Sequence, residues 1–153
     1  MNLEYFQLID RVESLDAAAK SIQCRATVPT KSTIFEGHFP GYPLMPGVLI
    51  VESMAQTSGY LLLSVLKFER MPFLIQIQSA KLRTFVSPGE ELTVRATLEH
   101  EGSGFAVTKA EVLREGKAIA DAELRFRTMP FPTPALKGMV RDYARTAGLP
   151  VEG

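Results

Sequence analysis

The run from Val48 to Leu66, VLIVESMAQTSGYLLLSVL, is apolar on nearly every side of a helical projection, and this leaves few folds open. Its length alone would suit a membrane span. Glu52, Ser53, Gln56, Thr57, Ser58, Gly59 and Ser64 argue against that reading, because a carboxylate at mid-bilayer is expensive. No stable membrane insertion is therefore expected. A helix that is greasy all round is normally buried inside the protein, and it needs something to wrap it.

The wrap is written on both sides of the run. SIQCRATV places Ile22, Cys24, Ala26 and Val28 on one face, the alternation of a half-buried strand. The stretch YFQLIDRVESLD before it mixes helical and strand spacing and stays ambiguous. After the helix come PFLIQIQ (72–78), KLRTFV (81–86), ELTVRATLEH (91–100), FAVTKAEVLR (105–114) and KAIADAELRFR (117–127), separated by the turn signals SPGEE, EGSG and REGK. The last three read as an antiparallel meander. The plan is strand, loop, one buried helix, then about five strands, which is an α+β architecture. A strongly curved antiparallel sheet around one long helix, the hot-dog fold, fits it.

With 153 residues the chain is about one domain long. Residues 1–128 hold the helix and all the strand signals. From Met129 the chain leaves the sheet through Pro130, Pro132 and Pro134. Leu136, Met139, Val140, Tyr143, Ala144 and Ala147 then share one helical face, with Gly148 and Pro150 as a stop. Residues 129–153 thus read as a C-terminal extension with a short amphipathic helix, packed on the domain surface or on a partner subunit.

Lys and Arg together number 17, as do Asp and Glu, so the net charge is zero and gives no global argument for nucleic acid. Cys24 is the only cysteine and the histidines are His38 and His100, so neither a disulfide nor a metal cluster is expected. The first residues lack a long apolar core of the secretory type, and a cytoplasmic protein is the simplest reading.

Chemistry concentrates just before and inside the greasy run. Residues 29–47 hold seven Pro and Gly residues besides His38 and read as an ordered loop. A histidine on a path stiffened by proline is held at low entropic cost, and its ordinary pKa suits proton transfer near neutrality. Pro46 suits the first turn of the helix. Gly47 lies at the helix N-terminus, where an unbonded N–H can stabilise a carbonyl gaining negative charge. Glu52 is an acid in apolar surroundings, and Gln56, one turn on, can orient its carboxyl. Each has a bland reading alone: a structural His, a Glu paired with a buried Arg, an extended Pro connector. Together they supply a base, a fixed loop, a helix-end donor and an acid.

The stretch GHFPGYPLMPGVLIVESMAQ closely resembles the signature GHFPxxPxxPGxxxxE/DxMxQ of the FabZ/FabA-type 3-hydroxyacyl-[acyl-carrier-protein] dehydratases. Gly37, His38, Phe39, Pro40, Pro43, Pro46, Gly47, Glu52, Met54 and Gln56 all match. A weaker likeness runs through AKLRTFVSPGEEL to about Phe126. The resemblance implies a hot-dog fold and removal of water from a (3R)-3-hydroxyacyl thioester to give a trans-2-enoyl thioester, without metal or organic cofactor. It implies His38 as catalytic base, Glu52 as catalytic acid and the Gly47 N–H on the thioester carbonyl, with Phe39, Pro46 and Gln56 in support. It further implies that His38 and Glu52 of one site come from different protomers of a homodimer, alone or within a trimer of dimers. Glu52, where other members carry Asp, places the chain nearer the FabZ type and implies no isomerase activity.

The implied partner is an acyl carrier protein, an acidic protein that a basic rim would attract. Lys67, Arg70, Lys81, Arg83, Arg125 and Arg127 are the candidates for that rim. Two departures bear on chain length: Gln76-Ile77-Gln78-Ser79 replaces a G-x-D-K run, and Leu82 stands at the usual Phe. LEHEGSGFAVTKAEV and RTMPFP are similar to a divergent branch that serves very-long acyl chains of lipid A. Two competing functions remain. A hot-dog thioesterase would keep an acid on the helix but lack the His-Phe-Pro loop. A non-catalytic acyl-binding module would have lost His38 or Glu52.

Overall fold

Residues 1–151, the part of the chain that the computed structural model describes, form nine elements. In order they are β1 (Arg11–Asp16), β2 (Ser21–Thr27), α1 (Thr33–Gly37), α2 (Gly47–Val65), β3 (Met71–Leu82), β4 (Glu91–Gly102), β5 (Phe105–Arg114), β6 (Lys117–Met129) and α3 (Pro134–Thr146). The six strands make one sheet in the order β1-β2-β4-β5-β6-β3, antiparallel at every step.

The sheet and α2 answer each other's needs. α2 touches β2 through β6 and β4 most extensively, so the greasy run is the core of the protein. Among the described residues it is the one helix long and apolar enough to cross a membrane, and here Met54, Leu61 and Leu62 are fully buried against strands. Burial of each such side chain contributes roughly 1.5–3 kcal/mol. Strands facing the helix alternate as half-buried strands must: Ile22, Cys24 and Ala26 on β2, Leu92, Val94 and Ala96 on β4. In register across β4, β5 and β6 run Ala96, Ala110 and Ala122, all buried. This row of small side chains leaves room for the helix. Two of the hydroxyls that α2 buries find partners, Ser53 Oγ donating to Ile50 O at 2.6 Å and Ser58 Oγ pairing with Thr108 Oγ1 at 2.8 Å, while Thr57 Oγ1 is buried without one among the described residues.

Three expectations need correction. The segments at 72–78 and 81–86 are a single strand, β3, that ends at Leu82. Its register against β6 shifts twice, between Leu74 and Gln76 and between Ile77 and Ser79. Each shift moves the side-chain alternation to the other face, so one strand imitates two. Four strands therefore follow the helix, and the sixth is β1, from the ambiguous stretch; a shift between Val12 and Ser14 blurs its period. Lastly, the loop at 29–47 contains the short helix α1, with Ser32 at its N-cap.

Helix α3 begins at the Thr133 cap, whose Oγ1 accepts from Leu136 N at 3.1 Å, with Pro134 in its first turn. It packs on this chain: Ala144 and Ala147 are buried, and Val12 N donates to Ala147 O at 2.7 Å. The last two residues of the expected 129–153 extension lie outside the described residues.

Candidate active site

His38 sits half-buried at the C-cap of α1. Its backbone is held at both ends: His38 N donates to Ile34 O at 2.9 Å and Leu44 N donates to His38 O at 2.9 Å. Its ring is held too. Nδ1 lies 3.0 Å from Leu44 O, and a carbonyl can only accept, so Nδ1 carries the hydrogen. In the neutral imidazole Nε2 then keeps the lone pair, the form a base requires. Phe39 stacks on the imidazole with centroids 4.1 Å apart, and the His38–Phe39 peptide is cis. Gly41, at φ +75, takes the left-handed turn that brings the chain back to Leu44. Met45 N donates to Val86 O at 2.8 Å and ties the loop end to the sheet side.

Pro46 is the N-cap of α2 rather than its first helical residue, and Gly47 opens the helix. In the first turn the Gly47 N–H has no intrahelical carbonyl to bond. A Cβ at Gly47 would lie 2.5 Å from Leu82 Cδ1, so the missing side chain lets the end of β3 close on the helix start. The departure noted at Leu82 therefore touches the candidate carbonyl donor directly.

Glu52 is half-buried on α2, and Gln56 positions it. Gln56 Nε2 donates to Glu52 Oε1 at 3.1 Å and to Phe6 O at 2.8 Å, while Gln56 Oε1 accepts from Leu8 N at 3.0 Å. The amide orientation is forced, because the Leu8 N–H can only donate. Both amide hydrogens are then spent, and among the described residues Glu52 Oε2 takes no hydrogen bond. Glu52 opens into a cavity of about 750 Å³, within the range of small-molecule sites. Its walls come from the N-terminal segment, α2, β3, β6 and α3. His38 does not line this cavity. One chain thus gathers Glu52 and Gln56 at one place and His38, Phe39, Pro46 and Gly47 at another.

Some contributors carried no sequence signal. Glu4, an exposed acid, accepts from Ser32 Oγ at 2.7 Å, Thr33 N at 2.8 Å and Thr33 Oγ1 at 3.0 Å. The Ser32 hydroxyl first, then the Thr33 N–H, lower its pKa to about 2. The segment carrying Glu4, Phe6 and Leu8 therefore ties α1, which leads to His38, to Gln56, which holds Glu52. Only Ser-Thr before an apolar residue hinted at the cap it uses. The candidate basic rim is partly engaged: Arg83 pairs with Asp121, and Arg70 Nη2 donates to Thr128 O at 2.8 Å. Among the described residues no group of three or more His, Cys, Asp or Glu side chains is placed to hold a metal ion.

Residues 1–123 match the model of the FabA-like domain family. The chain is 43% identical over 120 residues to a 3-hydroxyacyl-[acyl-carrier-protein] dehydratase FabZ of Ligilactobacillus salivarius, covering 78% of this chain and 85% of that one. It is 38% identical over 124 residues to the FabZ of Chlamydia pneumoniae, covering 79% and 81%. Among solved structures, a conserved protein from Pseudomonas aeruginosa superposes with a TM-score of 0.64 at 22% identity, over 82% of this chain and 91% of that chain. A thioesterase from Haemophilus influenzae superposes with a TM-score of 0.62 at 15% identity, over 80% of each. At such identities these two show the hot-dog fold alone.

Proposed function

The chain belongs to the FabA-like family, and we propose that it is a cytoplasmic (3R)-3-hydroxyacyl-[acyl-carrier-protein] dehydratase that releases a trans-2-enoyl thioester and water. One observation carries the reading: a carboxyl held by Gln56, with its second oxygen unspent, opens into an acyl-sized cavity. The relatives' printed activity supplies the substrate class.

The chemistry follows from the groups present. His38 Nε2 takes a proton from C2 of the substrate, since Nδ1–H is committed to Leu44 O. The electron pair forms the C2–C3 double bond as the C3–O bond breaks. The negative charge that builds on the thioester carbonyl accepts a hydrogen bond from Gly47 N–H, an interaction worth about 3 kcal/mol when aligned. The leaving hydroxide receives a proton from the Glu52 carboxyl and departs as water. The enzyme ends with His38 protonated and Glu52 ionised, and proton exchange with water resets both.

The two halves meet across a subunit boundary in this proposal. Three facts support it. His38 lies outside the cavity that Glu52 enters. β3 is a sheet edge of 12 residues. It exposes Leu74, Ile75, Ile77 and Leu82, and Phe39, Tyr42, Val48 and Phe85 are exposed as well. A long apolar edge is a template for pairing, and twofold pairing of β3 with its copy would cover it. A dimer, alone or as a trimer of dimers, would then carry two sites, each with His38 of one chain and Glu52 of the other. Acyl carrier protein delivers the substrate, with Lys81 and its neighbours as the docking rim.

The deciding experiment separates dehydration from hydrolysis. With a 3-hydroxyacyl-pantetheine substrate, enoyl absorbance without free thiol is the expected result. Thiol release without enoyl product would make the protein a thioesterase, and binding without either would make it an acyl-binding module.

A further inference from the structure

The cavity beside Glu52 is walled in part by chain that lies beyond the residues matched by the family model. We propose that α3 is the wall that sets which acyl chains this site accepts, and that Gly59 is the opening through which longer chains pass. The proposal rests on the dehydratase reading and adds a specificity device to it.

The cavity follows one face of α2. Glu52, Gln56, Gly59 and Leu63 line it at steps of four, three and four residues, the spacing of a single helical stripe. At 1.5 Å per residue the stripe runs about 16 Å from the acid. An acyl tail with its C3 oxygen beside Glu52 has room to run in that direction. Leu63, Met71 and Phe126 are among the apolar residues that line the cavity. Midway, a Cβ built on Gly59 would find no heavy atom within 4 Å. A side chain there would project into space. Glycine inside a helix destabilises it relative to Ala. The passage is thus kept open at some expense to α2.

α3 faces this passage. Val140, Tyr143 and Ala147 line the cavity at steps of three and four, so the apolar stripe of α3 is partly spent on its wall. Ala144, from the same stripe, anchors the helix. It is buried, and Gly148, at φ +91, turns the chain so that Leu149 is also buried and its N–H donates to Ala144 O at 2.9 Å. Val12 N closes the end on Ala147 O. Ala147 serves both wall and anchor, whereas Tyr143 belongs to the wall alone. Tyr143 is 47% exposed, so its side chain can be removed without opening the core.

The test uses the full chain and two readouts. The first is affinity for non-cleavable acyl-pantetheine amides from butyryl to palmitoyl length. The second is the ratio of kcat/KM for 3-hydroxyhexadecanoyl- over 3-hydroxybutyryl-pantetheine. Affinity of the unsubstituted protein should rise with chain length. In Gly59→Leu the rise should stop at a shorter chain, and the long-to-short ratio should fall about tenfold, the worth of roughly two buried methylenes. Tyr143→Ala should move the ratio the opposite way. Melting temperatures show that each variant is folded. Folded variants that keep the original ratio and the original length dependence would overturn the proposal, as would an affinity that ignores chain length in the unsubstituted protein. If no 3-hydroxyacyl substrate is turned over but the amide series responds as described, the dehydratase reading fails and the wall stands.

Discussion

Gln56→Ala separates an orienting role from a merely structural one. The amide serves three partners, and they lose unequally. Leu8 is fully buried, so its N–H is left with no acceptor, at a cost of roughly 1–3 kcal/mol. Phe6 is 54% exposed, and water can replace the amide at its carbonyl. Ala returns a few tenths of a kcal/mol as the better helix former. The net loss is about 2 kcal/mol, or a fall of roughly 4–8 °C in Tm for a domain of this size. Glu52 also loses the donor that fixes its carboxyl, so kcat should fall at least ~10-fold while KM changes little. Gln56→Glu is the control. It keeps an acceptor for Leu8 N and so should cost less stability, yet it faces Glu52 with a second carboxylate and should lose as much kcat. Denaturant midpoints and enoyl absorbance read the two effects. If both variants lose the same stability, or if Gln56→Ala keeps full kcat, the account of Gln56 is wrong.

Other outcomes follow from single groups. Glu4 is held near pKa 2 against an ordinary 4.5, so its contribution to stability is present above about pH 4.5 and fades as the pH falls toward 2. The difference in denaturation midpoint between the unsubstituted protein and Glu4→Gln should shrink over that interval, and a difference that grows on acidification would contradict it. Cys24 is fully buried, and burial pushes its thiol up to about 12. A thiol reagent at neutral pH should label it only as fast as the protein opens; immediate labelling of native protein would place Cys24 elsewhere. Lys81→Glu should raise KM for carrier-bound substrate and spare a short pantetheine analogue, with kinetics on the two substrates as the check.

The sequence carried the fold furthest where physics is local and periodic. An all-round apolar helix with an alternating β2 and a late meander leaves little besides a wrapped sheet, and the structure has one. β1 and β3 were harder, because register shifts beside Ser14, Gln76 and Ser79 break the two-residue period that marks a strand. In the site, Gln56 beneath Glu52 could be read from helical spacing alone. What Gln56 itself leans on could not, since Phe6 O and Leu8 N are backbone groups some fifty residues away in the chain and carry no residue-type signal. The approach of Leu82 to Gly47 is equally long-range. The amphipathic stripe of α3 announced that it packs, but not that part of it lines the cavity of Glu52.

The central claim is that His38 of one chain and Glu52 of another complete each dehydratase site. His38→Ala and Glu52→Gln should each fold and each be inactive. Mixed in equal amounts and allowed to exchange subunits, half of the dimers become hybrids with one whole site of two, so about a quarter of the original activity should return. Demonstrated exchange with no recovery of enoyl formation, or near-normal turnover by either variant alone, would contradict it.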